Sequence, residues 1–162
     1  MESRMTTKQS KLGFTLIELL VVVAIIGLLS SIVSAALNNS RTRSRDARRV
    51  SDLKQLKSAM DLYYSIGTGY PDDATWTAAL TSGLSCSGTI IMTQVPKDPV
   101  PANYVYTYAA SGNSLSGCGT TVRGNYDLEF YIENKGRYYI MDEDGNLTDK
   151  ITGSPVSFDT LL

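Results

Sequence analysis

Hydrophobic and polar positions divide the chain into stretches with different periods. From Phe14 to Ser65 there is no proline and a single glycine, Gly27. Phe14 to Leu37 is apolar almost throughout, broken by Thr15, Glu18, Gly27, Ser30, Ser31 and Ser34. Beyond it the apolar residues thin to a stripe, with Ala47, Val50, Leu53, Leu56, Met60 and Tyr63 recurring at three- and four-residue steps. Arg48, Arg49, Asp52, Lys54, Lys57 and Asp61 fill the polar side. This pattern predicts one helix of about 78 Å at 1.5 Å per residue, lipid-like in its first half and amphipathic in its second. Gly67, Gly69 and Pro71 end it. A short helix follows through Trp76, Ala79 and Leu80, capped by Asp73 or Thr75 and closed by Gly83. Residues 81–102 read as irregular apart from a short strand at Thr89–Met92, because Pro96, Pro99 and Pro101 oppose regular pairing.

Period-two alternation then takes over. Asn103–Ala110 places Tyr104, Tyr106 and Tyr108 on one face. Tyr126–Glu133 places Tyr126, Leu128, Phe130 and Ile132 inward, with Asp127, Glu129 and Glu133 towards water. Asn134-Lys135-Gly136 reads as a hairpin loop, and Arg137–Met141 returns as a strand stopped by Asp144-Gly145. The expected fold is α+β: one long N-terminal helix packed on an antiparallel sheet of three or four strands. No internal repeat interrupts this plan.

Length agrees with that division. A chain of 162 residues allows one modest domain beside an apolar span. The Phe14–Leu37 half reaches about 36 Å, enough to cross a bilayer core. Charge is divided too. Residues 41–57 hold seven basic and two acidic side chains, a balance of +5, and residues 58–162 hold five basic and twelve acidic, a balance of −7. A mildly acidic C-terminal part does not suggest a dedicated nucleic-acid binder.

The absence of histidine removes Ser-His-Asp and Cys-His catalysis and the commonest metal ligand. No Gly-rich phosphate loop is present, and no cofactor is expected. The two cysteines, Cys86 and Cys118, lie in Gly/Ser-rich sequence of the soluble part, where free thiols have little apolar cover. An even count beyond a membrane span favours one disulfide in an oxidising compartment over two buried thiols.

The densest signal lies at the start. A leader with Arg4, Lys8 and Lys11 ends at Gly13, Phe14 opens the apolar run, and the carboxylate of Glu18 sits five residues after the glycine. A carboxylate is costly in hydrocarbon, roughly 2.5–3.5 kcal/mol on insertion scales, so a partner should repay it. The segment Lys11-Leu12-Gly13-Phe14-Thr15-Leu16-Ile17-Glu18-Leu19-Leu20 resembles the class III signal of type IV pilins and type II secretion pseudopilins. The resemblance continues more loosely through Arg48–Leu56, Tyr63-Tyr64, Gly69-Tyr70-Pro71 and Val95–Pro99 followed by Tyr104-Val105-Tyr106. It implies a pilin-like fold and a structural protein, not an enzyme. Its parts would be a leader over 1–13, a membrane-spanning and filament-core half over 14–37, an amphipathic half over 38–65 and a globular head over 66–162. A prepilin peptidase would cut between Gly13 and Phe14 and methylate Phe14. Glu18 would neutralise the N-terminal ammonium of a neighbouring subunit. Partners would be copies of the chain, related pilins, the peptidase and an inner-membrane assembly platform with a separate ATPase. The subunit would cross the inner membrane once, with an extracytoplasmic head, and reach the periplasm or cell surface after assembly. Ala35 departs from the proline of many major pilins and favours continuous helix.

Rival readings sharpen these expectations. Val33-Ser34-Ala35 is similar to an ordinary secretory cleavage site, which would release a soluble binding protein. The apolar run is long for such a signal, and Glu18 inside it is unusual. Arg41, Arg43, Arg45, Arg48 and Arg49 follow the span, so charge counting alone would place the head inside the cell. The leader pattern and the disulfide outweigh that count. These arginines read as a solvated collar that meets acidic residues of adjacent subunits, in preference to a site for anionic lipid or DNA. Asp142, Asp144, Asn146 and Asp149 around Gly145 form a weak calcium candidate, such as major pseudopilins carry. Their spacing is not that of an EF-hand, Asp-Gly is a common turn, and the chain is read without a metal. Asn146-Leu147-Thr148 fits a glycosylation sequon, a triplet frequent by chance.

Overall fold

The structure is a computed structural model that describes residues Gly13–Leu162. The leader residues 1–12, with Arg4, Lys8 and Lys11, lie outside the described residues. Helix α1 covers Leu16–Gly67 and runs without a break through Gly27 and Ala35. Its start two residues after Phe14 follows from its cap. Thr15 donates its backbone N–H to Glu18 Oε2 at 2.9 Å, and the Glu18 N–H returns to Thr15 Oγ1 at 3.3 Å. This reciprocal pair is a capping box, Thr-x-x-Glu, which satisfies two otherwise orphaned donors of the first turn.

Contacts divide the chain into a unit ending at Asn39 and a unit of Ser40–Leu162. In the first, the large apolar side chains from Phe14 to Leu37 are exposed, and this is the part of α1 apolar enough to cross a membrane. In the second, α1 is followed by β1 (Tyr70–Pro71), α2 (Asp73–Ser82), β2 (Leu84–Cys86), β3 (Thr89–Met92), β4 (Thr107–Gly117), β5 (Thr120–Ile132), β6 (Arg137–Asp142), β7 (Leu147–Asp149), β8 (Pro155–Val156) and α3 (Phe158–Leu161). The antiparallel sheet runs β1-β5-β6-β7-β8, with β4 also on β5, while β2 and β3 form a separate hairpin. The α+β expectation holds, but the sheet has six strands in place of the three or four expected.

The core forms where the amphipathic half of α1 meets the sheet. Val50, Leu53, Leu56, Met60 and Tyr63 share it with Tyr126, Leu128, Phe130 and Ile132 of β5 and Met141 of β6. Alternation along β5 therefore reads correctly. Trp76 of α2 stacks on Tyr108 at 4.5 Å between ring centres, and Tyr108 donates to Pro71 O at 2.7 Å. The tyrosines are mostly core, as period two implies.

Several expectations are corrected. The cap of α2 is Asp72, whose carboxylate accepts from Thr75 N at 2.8 Å, in place of Asp73 or Thr75. Tyr104 and Tyr106 precede β4: the Tyr104 N–H closes a turn on Val100 O at 3.1 Å. Beyond Ala110, β4 continues to Gly117 across a bulge between Ser111 and Ser114. That stretch is largely exposed and lacks alternation, so backbone pairing with β5 alone specifies it. Strands β1, β2, β7 and β8 are two or three residues long, too short for a periodic signal. Ala47 is exposed, and Asp46 and Arg49 take the buried positions at that end of the stripe.

Candidate functional site

Three places carry chemistry. The first is the start of α1, where Phe14 is 81% exposed and Glu18 accepts from Thr15 Oγ1 at 2.7 Å as well as from the Thr15 backbone. Glu18 is thus satisfied within its own helix turn, a role that Thr-x-x-Glu signals in the sequence and that was missed. Phe14, Ile17, Glu18, Val21 and Val22 line one shallow groove. A β-carbon at Gly13 would meet no described atom within 4 Å.

The second is the arginine segment, which is not a uniform solvated collar. Arg49 is fully buried, on the same side of α1 as the core stripe. Its Nε and Nη2 grip both oxygens of Asp98 at 2.7 and 2.8 Å, and Nη1 reaches Asp46 Oδ1 and Glu133 Oε1, each at 2.7 Å. Arg45 forks onto Glu133 at 2.9 and 2.6 Å. Asp46 also accepts from Glu133 N at 3.0 Å and Asn134 N at 2.8 Å, and so closes the β5–β6 hairpin. One arginine therefore joins α1, the proline-rich loop and the hairpin. Burial works against its charge, but its hydrogen bonds to Asp98, Glu133 and Asp46 outweigh burial and raise its pKa. Hydrogen bonds from Arg45 hold the Glu133 carboxyl at about 2, against burial and with help from Arg49. Glu133, expected to face water, is drawn into this network. Asp52 is likewise buried: burial raises its pKa, and the Tyr106 hydroxyl donates to it at 3.0 Å. Arg41, Arg43 and Arg48 are exposed, and none makes an ion pair among the described residues.

The third is the far end of the head. Cys86 and Cys118 form a disulfide, with their Cα atoms 4.6 Å apart. It fastens β2 to the β4–β5 turn and lies against Gly67 at the end of α1, where any β-carbon would strike Cys118 Sγ. The calcium candidates do not converge. Asp142 accepts from Asp144 N, Asn146 N and Asn146 Nδ2 within its own turn. Asp149 turns to Arg137 and to the N–H groups of Ile151 and Thr152. Among the described residues no group of three or more His, Cys, Asp or Glu is placed to hold a metal.

Two family models match the chain: the prokaryotic N-terminal methylation motif over residues 8–34, and type II secretion system (T2SS), protein G, over residues 36–120. The chain belongs to the type II secretion protein G family. Gly13, Phe14 and Glu18 fall inside the first match, and the arginine network's α1 and loop residues and both cysteines inside the second. Type II secretion system core protein G of Klebsiella michiganensis is 39% identical over 64 residues, 40% of this chain and 45% of that protein. Its counterpart in Escherichia coli K12 is 40% identical over 68 residues, 42% of this chain and 46% of that protein. Fimbrial protein EcpC of Eikenella corrodens is 31% identical over 136 residues, 81% of this chain and 89% of that protein. The chain spans about half the length of the first two core G relatives it matches, 45% and 52%. No solved structure matches it.

Proposed function

We propose that this chain is a structural subunit that polymerises into a pilus-like filament of type II secretion, and that it works by assembly, not catalysis. The observation that carries this reading is the start of α1, where a lone carboxylate stands in a wholly exposed apolar helix half, within the N-terminal methylation match. In this reading residues 1–13 are a leader removed by a prepilin peptidase, and Phe14 becomes the methylated N-terminus. Residues 14–37 first cross the inner membrane and then bundle at the filament core, where packed apolar helices exclude water as lipid did. Residues 38–65 carry the head of residues 66–162.

Glu18 changes partner along that path. In the free chain Thr15 satisfies it; in the filament a neighbour's Phe14 ammonium adds a full opposite charge in a medium of low dielectric. Partners are copies of the chain, related pilins, the peptidase and an inner-membrane platform whose ATPase supplies the energy of extraction. The disulfide supports a head outside the cytoplasm, in the periplasm or at the cell surface. Intact mass of the membrane-extracted protein tests the processing: the expected chain begins at Phe14 and carries a methyl group, whereas one that begins at Met1 contradicts it.

A further inference from the structure

Two surfaces of the Ser40–Leu162 unit carry charge that one chain leaves unbalanced. The first is a cleft of about 300 Å³ lined by Arg48, Gln94, Pro96, Lys97, Asp98 and Pro99. Arg48 and Lys97 are exposed on its walls, and neither makes an ion pair among the described residues. Asp98 cannot balance them, because Arg49 holds both its oxygens. Asp52 lowers the field at Arg48 but is buried and bonded to Tyr106. The second surface is the turn from β6 to β7. Asp144 is exposed and Glu143 half-buried, and neither carboxylate has a partner among the described residues. Asp142 stands opposite Asp127 in the β5–β6 register, a like-charge pair that disfavours the sheet. Lys57 passes against Gly145, but its ammonium is engaged by Asp61 at 2.5 Å.

We propose that the acidic turn Asp142–Asn146 of a second copy of this chain seats in the cleft between Arg48 and Lys97. The inference rests on the filament reading above and adds which surfaces of the heads meet. A concave basic site and a convex acidic turn on one chain are complementary, and they are different surfaces. A single such contact leaves a basic cleft free on one copy and an acidic turn free on the other, so it can repeat head-to-tail along a polymer. Lys57, which marks the turn, lies nine residues beyond Arg48, about 14 Å along α1. Neighbouring heads in contact are thus displaced along α1 by about that much. Both surfaces are exposed, so the contact steers and registers the heads while the apolar helix halves hold the polymer.

Charge reversal in the full chain, assembled by its own machinery, tests this. Arg48→Glu with Lys97→Glu should slow assembly and lower the yield of polymer, as should Glu143→Lys with Asp144→Lys, and all four together should restore both. Each variant should retain the Cys86–Cys118 bond and the wild-type melting temperature, which separates lost contact from lost fold. In polymer mixed from two differently tagged chains, Arg48→Cys in one and Asp144→Cys in the other should cross-link tag to tag. Reversals that assemble as wild type does, or chains that never cross-link, overturn the contact and leave the filament reading intact. Wild-type assembly that a chelator abolishes and calcium restores, with the Arg48 and Lys97 reversals neutral, assigns the turn to a cation and also overturns it. A wild-type chain that forms no polymer overturns both readings.

Discussion

Arg49 shows how far a single residue departs from what its neighbourhood in the sequence suggests. Within a run of five arginines it looks like one more solvated charge, yet it lies fully buried among Asp46, Asp98 and Glu133. Its distant partners, 49 and 84 positions along the chain, leave no local trace, whereas Asp46 at i−3 does. Arg49→Met removes the charge and keeps apolar bulk, leaving three carboxylates facing one another. It should cost about 3–5 kcal/mol of stability in denaturant titration, the range for breaking a buried pair from one side. The same network makes an acid prediction. Glu133 is depressed from 4.5 to about 2, so its contribution is full above pH 4.5 and is lost as pH falls through about 2. Stability measured from pH 7 to pH 2 should decline over that window, and Glu133→Gln should flatten the decline. The hydroxyls of Tyr63 and Tyr126 make the opposite case: both are buried without a partner among the described residues. Tyr126→Phe should leave the melting temperature unchanged or raise it, since it removes an unsatisfied group.

Among the elements, α1, α2 and the β5–β6 hairpin were legible because each repeats its period over enough residues to show it. The apolar half of α1 and the inward face of β5 read directly from residue type. The later half of β4 and the two- and three-residue strands were not legible, because tertiary pairing specifies them and composition does not. The cysteine pair was legible from count and context, but its position beneath α1 was not. Gly67 is glycine because the disulfide leaves no room for a side chain there. Gly67→Ala should therefore lower the melting temperature although it improves helix propensity. Cys86→Ser should lower it further: the chain-entropy model assigns roughly 3–4 kcal/mol to a loop with a sequence separation of 32. Limited proteolysis of that variant should open residues 83–120 first.

At the scale of the whole molecule, the candidate site was legible as a pattern but not as geometry. Gly13, Phe14 and Glu18 announce themselves by order and spacing. The capping of Glu18 by Thr15 appears only with the helix start in place. Beside this cap, the proposed contact with a neighbour's ammonium would be a second role for Glu18, and mutation separates the two. Thr15→Ala removes the local hydroxyl partner but leaves the carboxylate for a neighbour. Glu18→Ala removes both roles and should insert into lipid more easily, at the cost of an unpaired neighbouring ammonium. The decisive measurement is electron microscopy of filaments sheared from cells that produce the chain with its assembly machinery. Wild type and Thr15→Ala should give filaments, and Glu18→Ala should be processed at Gly13–Phe14 yet give none. Normal filaments from Glu18→Ala would contradict the account.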